Sequence, residues 1–182
     1  GRAIGTIVSR DVSESKLEKI QENSERLGVP VRIIADEDDI NSLEERYQPG
    51  INLQLSDATE LDRDIISLPE DERFDIVISD VPCSGLGIIG RKNDIKYHMS
   101  PEIMEELSRQ GLDILKNAAQ YVKKGGRICF STCTINPAEN GDVVRKFLDS
   151  CQGTEQSFEI IEEKTFLQGI DGSDGFYFCI MK

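Results

Sequence analysis

Residues 74–80 read Phe-Asp-Ile-Val-Ile-Ser-Asp, and this stretch decides the fold. Its apolar residues, Phe74 and the run from Ile76 to Ile78, are nearly continuous. A strand of this kind is typical of a parallel sheet that is covered on both faces. The stretch ends at Asp80, and ligands of parallel sheets bind beyond the carboxyl ends of the strands. The residues that follow Asp80 are therefore the first candidates for chemistry.

Strand and helix patterns alternate on either side of this stretch. Helices are indicated by apolar residues at helical spacing, framed by capping residues such as Ser13 and Gly28. Short apolar runs between the helices predict strands. Besides 74–79, the predicted strands are 6–9, 31–35, 51–55, 127–131, 158–161 and 176–181, and the predicted helices are 13–28, 101–122 and 138–150. This alternation indicates a mostly parallel α/β sheet, ending in a hairpin.

The charge of the chain is uneven along its length. The 182 residues carry a net charge of −13, which argues against a protein whose main role is to grip phosphates. Residues 1–80 carry −11 and residues 151–182 carry −4, whereas residues 81–150 carry +2. No apolar run reaches the roughly 18 residues of a membrane helix, so no membrane partner is expected. The net-positive middle stretch is also the one that carries the cysteine motifs.

The five cysteines fall into two groups. Their number is odd, the chain has one histidine, and no C-x-x-C pair occurs, so we expect no metal site and a reducing, cytoplasmic setting. We interpret Cys129, Cys151 and Cys179 as small buried apolar side chains. Cys83 and Cys133 instead each follow the end of a predicted strand. Cys133 stands in a polar turn before a helix start, where a thiolate is favoured, and is a candidate nucleophile.

Two other kinds of enzyme remain open at this point. Residues 85–90 spell G-x-G-x-x-G after a strand, as in a dinucleotide-binding oxidoreductase. The polar residues 91–96 that follow do not predict the apolar helix that such a loop should open. The second alternative is a thiol–imidazole pair of Cys133 with His98, although no orienting partner for the imidazole is evident.

Several segments resemble the Sun/Fmu family of RNA cytosine-5 methyltransferases. Residues 80–87, Asp-Val-Pro-Cys-Ser-Gly-Leu-Gly, resemble its D-A-P-C-S-G-x-G segment, and residues 131–140 resemble its S-T-C-S/T…E-N segment. Residues 174–177, Asp-Gly-Phe-Tyr, resemble its closing strand, and residues 9–28 resemble its second strand and the following helix. The resemblance covers nearly the whole chain. It implies one catalytic domain over residues 1–182, with a Rossmann-like class I methyltransferase sheet that lacks its first strand.

The resemblance also implies a reaction, the transfer of a methyl group from S-adenosylmethionine to carbon 5 of a cytosine in ribosomal RNA. Cys133 matches the family's nucleophile, which attacks carbon 6 of the base. Cys83 matches the cysteine that helps to release the methylated product, and Asp80 matches the acid at the junction of base and cofactor. Asp11 and Asp57 match the acids that hold the cofactor's ribose and adenine.

The middle stretch offers cations for the RNA. A cytosine must leave its stack to be attacked at carbon 6, so its neighbours need to be held. We expect these contacts from Arg91, Lys92, Lys96 and Arg109. A transfer RNA substrate and an inactive RNA-contact module remain alternatives within the same family.

Two features depart from the family pattern. The family's first strand and its Gly-rich cofactor loop are expected before Gly1, which implies a domain without its N-terminal part and with two unpaired strand edges. The connection between Gly28 and Asp57 is also longer than is usual in the family. This surplus, at about residues 31–50, includes the acidic run 36–39 and is expected to form an extra loop of unassigned function.

Overall fold

The computed structural model describes residues 5–34, 43–154 and 156–182. The acidic run at 36–39, and most of the predicted extra loop before residue 43, lie outside the described residues. The chain divides into two compact units, Gly1–Arg73 and Phe74–Lys182. The strands are β1 (Thr6–Asp11), β2 (Val31–Ile33), β3 (Gly50–Leu55), β4 (Phe74–Asp80), β5 (Val122–Thr132), β6 (Ile160–Phe166) and β7 (Phe176–Met181), and the helices are α1 (Glu14–Leu27), α2 (Leu43–Arg46), α3 (Arg63–Ser67), α4 (Ile95–His98), α5 (Pro101–Ala119) and α6 (Gly141–Cys151).

The first unit contains a three-stranded parallel sheet in the order β1-β3-β2. Helix α1 packs against it through its apolar stripe, which buries Leu17. Gly28 ends this helix in the left-handed conformation, at φ 68°, and its N–H caps the carbonyl of Glu25. Since β1 and β3 run in the same direction with Asp11 opposite Leu55, the residues after both strands lie at one edge of the sheet.

The second unit contains a four-stranded sheet in the order β4-β5-β7-β6. Strands β4 and β5 are parallel, and β7 is antiparallel to both β5 and β6. The mixed α/β architecture with a C-terminal antiparallel hairpin confirms the predicted fold class.

Helices α5 and α6 cover one face of this second sheet. The core between them is apolar and includes Leu115, Ile128, Phe130, Val144 and Phe147, all at most 1% exposed. The Phe130 and Tyr177 rings meet edge to face with their centroids 6.3 Å apart, a favoured aromatic geometry. This packing fixes the strands whose ends carry the cysteine motifs.

The opposite face of the sheet corrects one prediction. Ile76 and Ile78 on β4 are 61% and 70% exposed, so the described part of the chain covers this strand on one face and not on both. Cys129 pairs with Ile78 across the sheet and is half-buried, not buried as expected. An apolar run predicts a strand, but it does not say which of its faces another element covers.

Several element boundaries differ from the predicted ones. Helix α5 ends at Ala119, where the N–H of Gln120 bonds to the Asn117 carbonyl at 3.0 Å, and β5 begins at Val122, before the predicted start at residue 127, with Gly125 at a φ of 74° that favours glycine. Residues Pro137–Glu139 form a 3-10 turn, so α6 starts at Gly141. Strand β6 lies two residues later than predicted and runs longer. Among the described helices, none combines the length and the hydropathy needed to cross a bilayer.

Candidate active site

The loops that follow β4 and β5 lie side by side. Asp80 on β4 pairs with Ser131 on β5. Because β4 and β5 are parallel, both strands end at the same edge of the sheet. Backbone hydrogen bonds continue past the strand ends, from Val81 N to the Ser131 carbonyl (3.1 Å) and from Gly87 N to the Cys133 carbonyl (3.0 Å). As a result, the Sγ atoms of Cys83 and Cys133 are 3.2 Å apart, although the residues are separated by 50 positions.

A buried carboxylate ties the two loops together. Glu139 is only 2% exposed. Ser84 N donates to its Oε2 at 2.6 Å, and Ser84 Oγ and Asn136 Nδ2 donate to its Oε1 at 2.7 and 2.8 Å. Charge-assisted hydrogen bonds of this kind offset the cost of burying the acid. Glu139 thus connects the residue after Cys83 with the turn after Cys133.

A second set of polar contacts shapes the turn around Cys133. Asn140 Nδ2 donates to the Thr134 carbonyl at 3.0 Å, and Thr132 Oγ1 donates to Asn140 Oδ1 at 2.6 Å. Ser84 Oγ lies 2.9 Å from Thr134 Oγ1, which adds a link between the loops. Sequence reasoning assigned no role to Glu139, Ser84 or Asn140. The only available signal was their presence in the two quoted motifs.

The glycine-rich segment at 85–90 serves backbone packing. Leu86–Ile88 form a 3-10 turn and do not open a helix, as a dinucleotide-binding loop would. Gly175 N donates to the Gly87 carbonyl at 2.8 Å, and a Cβ at Gly87 would lie 2.8 Å from the Cys133 carbonyl oxygen. A side chain at this position would therefore push apart the two loops that carry the cysteines.

The surroundings of Cys83 change the acidity of its thiol. Burial, followed by the hydrogen bond with Cys133, raises the pKa of Cys83 to about 12. Cys83 is therefore a neutral thiol at pH 7, and a neutral thiol is a poor nucleophile. Cys133 is half-buried at the carboxyl edge of the sheet. The assignment of Cys133 as the attacking group stays a prediction.

The other predicted residues of the second unit lie around this pair. Asp80 is exposed and accepts a hydrogen bond from Ser131 Oγ at 3.0 Å. His98 is exposed on α4, and among the described side chains no hydrogen bond joins it to Cys133, so the thiol–imidazole alternative gains no support. Within the described part of the chain, no group of three His, Cys, Asp or Glu side chains is arranged to hold a metal ion.

The predicted RNA-contact residues are all on the surface. Arg91, Lys92 and Lys96 are exposed within one segment that includes α4. Arg91 Nε forms an ion pair with Asp174 Oδ2 at 3.0 Å. Arg109 is exposed farther along, on α5. The structure therefore groups three of the four cations.

The first unit holds a cleft of about 440 Å³ at the carboxyl edge of its sheet. Asp57 lines it and accepts hydrogen bonds from Thr59 Oγ1 (2.7 Å) and Thr59 N (2.8 Å), which lower the pKa of the carboxyl group. Asp11, at the end of β1, accepts from Ser13 N at 2.9 Å and from Lys16 Nζ at 3.0 Å. Both acids accept hydrogen bonds at this edge, where the family resemblance predicts the contacts with the ribose and adenine of the cofactor.

A partly buried polar cluster adjoins this cleft, and three of its residues, Arg46, Gln54 and Asp62, line it. Arg10 forms an ion pair with Asp62 and donates to Gln54 Oε1 at 2.9 and 3.1 Å, and its Nη2 lies 3.3 Å from Tyr47 Oη. Arg46 Nη1 lies 3.9 Å from Asp62 Oδ2. Arg46 and Tyr47 belong to the surplus stretch of about residues 31–50, so this part of the stretch packs beside the cleft.

The predicted site residues are divided between the two units. Asp11 and Asp57 belong to the first unit, and Asp80, Cys83 and Cys133 belong to the second. Each part has its acids or thiols at the carboxyl ends of parallel strands. The roles of these residues in catalysis and cofactor binding stay predictions.

Replacing Glu139 tests the link between the cysteine loops. Glu139→Ala removes the acceptor of three donors, two of them on Ser84, and is expected to lower the free energy of unfolding by about 3 kcal/mol. Urea unfolding measures this loss. Glu105→Ala, an exposed acid on α5, is the matched control and should change stability by less than about 0.5 kcal/mol. Equal effects of the two variants would contradict the proposed link.

Comparison with known proteins gives a consistent result over the whole chain. The family model described as 16S rRNA methyltransferase RsmB/F matches residues 2–181. A probable ribosomal RNA small subunit methyltransferase B of Bacillus subtilis (strain 168) is 30% identical over 191 residues, covering 98% of this chain and 38% of that protein. The protein of the same description from Coxiella burnetii is 28% identical over 183 residues, covering 97% and 38%. The chain thus spans 38% of the length of these relatives.

Solved structures share the fold. NSun6 from Pyrococcus horikoshii, solved with SFG, superposes with a TM-score of 0.68 at 19% identity, covering 98% of this chain and 41% of that chain. A methyltransferase homolog protein from Pyrococcus horikoshii superposes with a TM-score of 0.69 at 19% identity, covering 97% and 53%. These matches confirm the Rossmann-like methyltransferase fold, and the family match confirms the resemblance that the cysteine motifs indicated. The chain belongs to the family described as 16S rRNA methyltransferase RsmB/F.

Proposed function

We propose that this chain is the catalytic part of an enzyme that methylates carbon 5 of a cytosine in ribosomal RNA through a covalent bond from Cys133. The observation that carries the proposal is the pair of thiols 3.2 Å apart at the carboxyl edge of two parallel strands. The family match and the ribosomal RNA methyltransferases among its relatives support the choice of substrate. A cytoplasmic location is part of the same proposal.

The reaction begins at Cys133. Its thiolate forms a bond to carbon 6 of the cytosine, and the electron pair of the 5,6 double bond moves toward carbon 5, which becomes nucleophilic. S-adenosylmethionine, when bound, supplies the methyl group that carbon 5 accepts. Carbon 5 then carries both a methyl group and its original proton. The proton must leave carbon 5, and the bond between sulfur and carbon 6 must break, to release the product and restore the thiolate.

Cys83 is placed to complete the release. Three causes raise its pKa in the free protein, and two of them, the hydrogen bond and the charge interaction, come from Cys133. Once Cys133 is bonded to the base it can no longer carry a negative charge, so the pKa of Cys83 falls. Cys83 then gives its own proton to solvent, and the resulting thiolate accepts the proton from carbon 5 while the bond between the Cys133 sulfur and carbon 6 breaks and releases the Cys133 thiolate. Burial, the largest cause of the raised pKa of Cys83, persists after attack, whereas the contribution of the Cys133 thiol is present only before it.

The acids supply the contacts for the cofactor. Asp11 and Asp57 accept hydrogen bonds at the edge of the first sheet, and a carboxylate there suits the hydroxyl groups of a ribose and the amino group of an adenine. The cleft of about 440 Å³ that Asp57 lines fits such a contact. Asp80, held by Ser131 beside the cysteine loops, is assigned to the junction of base and cofactor.

Trapping the covalent intermediate tests this mechanism. Cys83→Ser in the full-length protein, incubated with ribosomal RNA and S-adenosylmethionine, is expected to accumulate a protein–RNA adduct that resists denaturant, because release is blocked. The adduct should disappear in the double variant Cys83→Ser/Cys133→Ala. Cys151→Ser, at the end of α6, is the control and should release product like the wild type. An adduct that persists without Cys133 would overturn the nucleophile assignment.

The pH dependence of alkylation tests the neutral state of Cys83. With a pKa raised from 9.0 to about 12, labelling of Cys83 by iodoacetamide should rise about tenfold per pH unit from pH 8 to 11. At pH 8 its rate should lie about 1000-fold below that of an unperturbed peptide thiol, which levels off above pH 9. Peptide mapping by mass spectrometry measures both rates. A plateau of Cys83 labelling near pH 9 would show that its pKa is not raised.

A further inference from the structure

The aromatic side chain of Tyr97 lies on the surface and is not packed in the core. It is 76% exposed, whereas Tyr47 and Tyr177 are at most 2% exposed. Its neighbour Ile95 anchors the short helix α4, since the Ile95 Cδ1 atom lies 3.1 Å from the position of a Cβ at Gly85. Gly85 follows Cys83 by two residues. Helix α4 is therefore fixed beside the cysteine loops and presents Tyr97 to solvent.

Positive charge surrounds this ring. Lys96 Nζ lies 4.9 Å from the centroid of the Tyr97 ring, and Arg91 and Lys92 are exposed earlier in the same segment. Residues 91–98 contain these three cations and a single acid, Asp94, in a chain whose net charge is −13. A local excess of cations on a strongly acidic protein complements a polyanion.

We propose that Tyr97 is a stacking site for an RNA base that flanks the target cytosine. This inference rests on the proposed function, because a flipped cytosine leaves neighbouring bases unstacked. Bases of single-stranded RNA stack on exposed aromatic rings, and adjacent cations pair with their phosphates. Lys96 lies over one face of the Tyr97 ring, and the high exposure of the side chain leaves the other face open to a base.

The chain contains no tryptophan, so a single introduced indole reports on this site. Tyr97→Trp in the full-length protein is titrated with a single-stranded oligoribonucleotide that carries one cytosine between adenosines. Stacking should quench the indole fluorescence by at least half, with saturation. Ile161→Trp, exposed on β6 at the far edge of the sheet from β4, is the matched control and should be quenched far less.

Affinity and kinetics test the contribution of the ring. Tyr97→Ala should weaken binding of the oligonucleotide about tenfold or more, and Tyr97→Phe should bind within about twofold of the wild type, since stacking needs the ring and not the hydroxyl. In methyl-transfer assays on ribosomal RNA, Tyr97→Ala should raise KM and leave kcat nearly unchanged. A variant that misfolds would instead show a lower kcat, because less active enzyme is present, and would lose its circular dichroism spectrum.

The outcomes separate this inference from the proposed function. If the wild type methylates RNA, but Tyr97→Ala keeps its KM and Tyr97→Trp is quenched no more than the control, the stacking site is overturned and the methyltransferase proposal stands. If Tyr97→Trp is quenched and Tyr97→Ala binds weakly, but the wild type transfers no methyl group to cytosine, the stacking site stands and the proposed function fails.

Discussion

The hydrogen bonds to the buried carboxylate of Glu139 are the contacts on which the arrangement of the cysteine loops depends. Two parallel strands bring their ends to one edge, and the loops beyond those ends are joined by backbone hydrogen bonds from Val81 N to the Ser131 carbonyl and from Gly87 N to the Cys133 carbonyl. Glu139 takes three hydrogen bonds from Ser84 and Asn136, so the loop after β4 and the turn after β5 become one polar cluster. Few other conformations of the two loops are compatible with the buried acid, because opening the loops would leave its carboxyl group without hydrogen-bond donors.

The two thiols lie close together beside this cluster, and burial, followed by the contact with Cys133, raises the pKa of Cys83. At 3.2 Å, Cys83 and Cys133 share a hydrogen bond, and burial keeps Cys83 neutral. In the proposed mechanism, Cys133 is the attacking thiol and Cys83 serves the later proton transfer. Neither role needs a metal or a histidine.

Much of this arrangement was predictable from local sequence. The apolar run before Asp80 and the cysteines after two strand ends correctly predicted which residues meet at the edge of the second sheet. The role of Glu139 was not predictable, since its partner Ser84 lies 55 residues away and a single sequence does not pair distant polar residues. The exposure of one face of β4 was not predictable for a similar reason, because an apolar pattern predicts a strand but not which elements pack against it. Tyr47 was also missed, since its place beside Arg10 and Gln54 depends on tertiary packing.

The atom that receives the methyl group tests the account most directly. Ribosomal RNA would be incubated with the full-length protein and S-adenosylmethionine labelled in its methyl group, digested to nucleosides and separated by mass spectrometry against methylcytidine standards. The account predicts that the label is found in 5-methylcytidine and that none forms with Cys133→Ala. Label in N4-methylcytidine, in a 2′-O-methyl nucleoside or in another base would contradict it, because only attack at carbon 6 requires a nucleophilic cysteine.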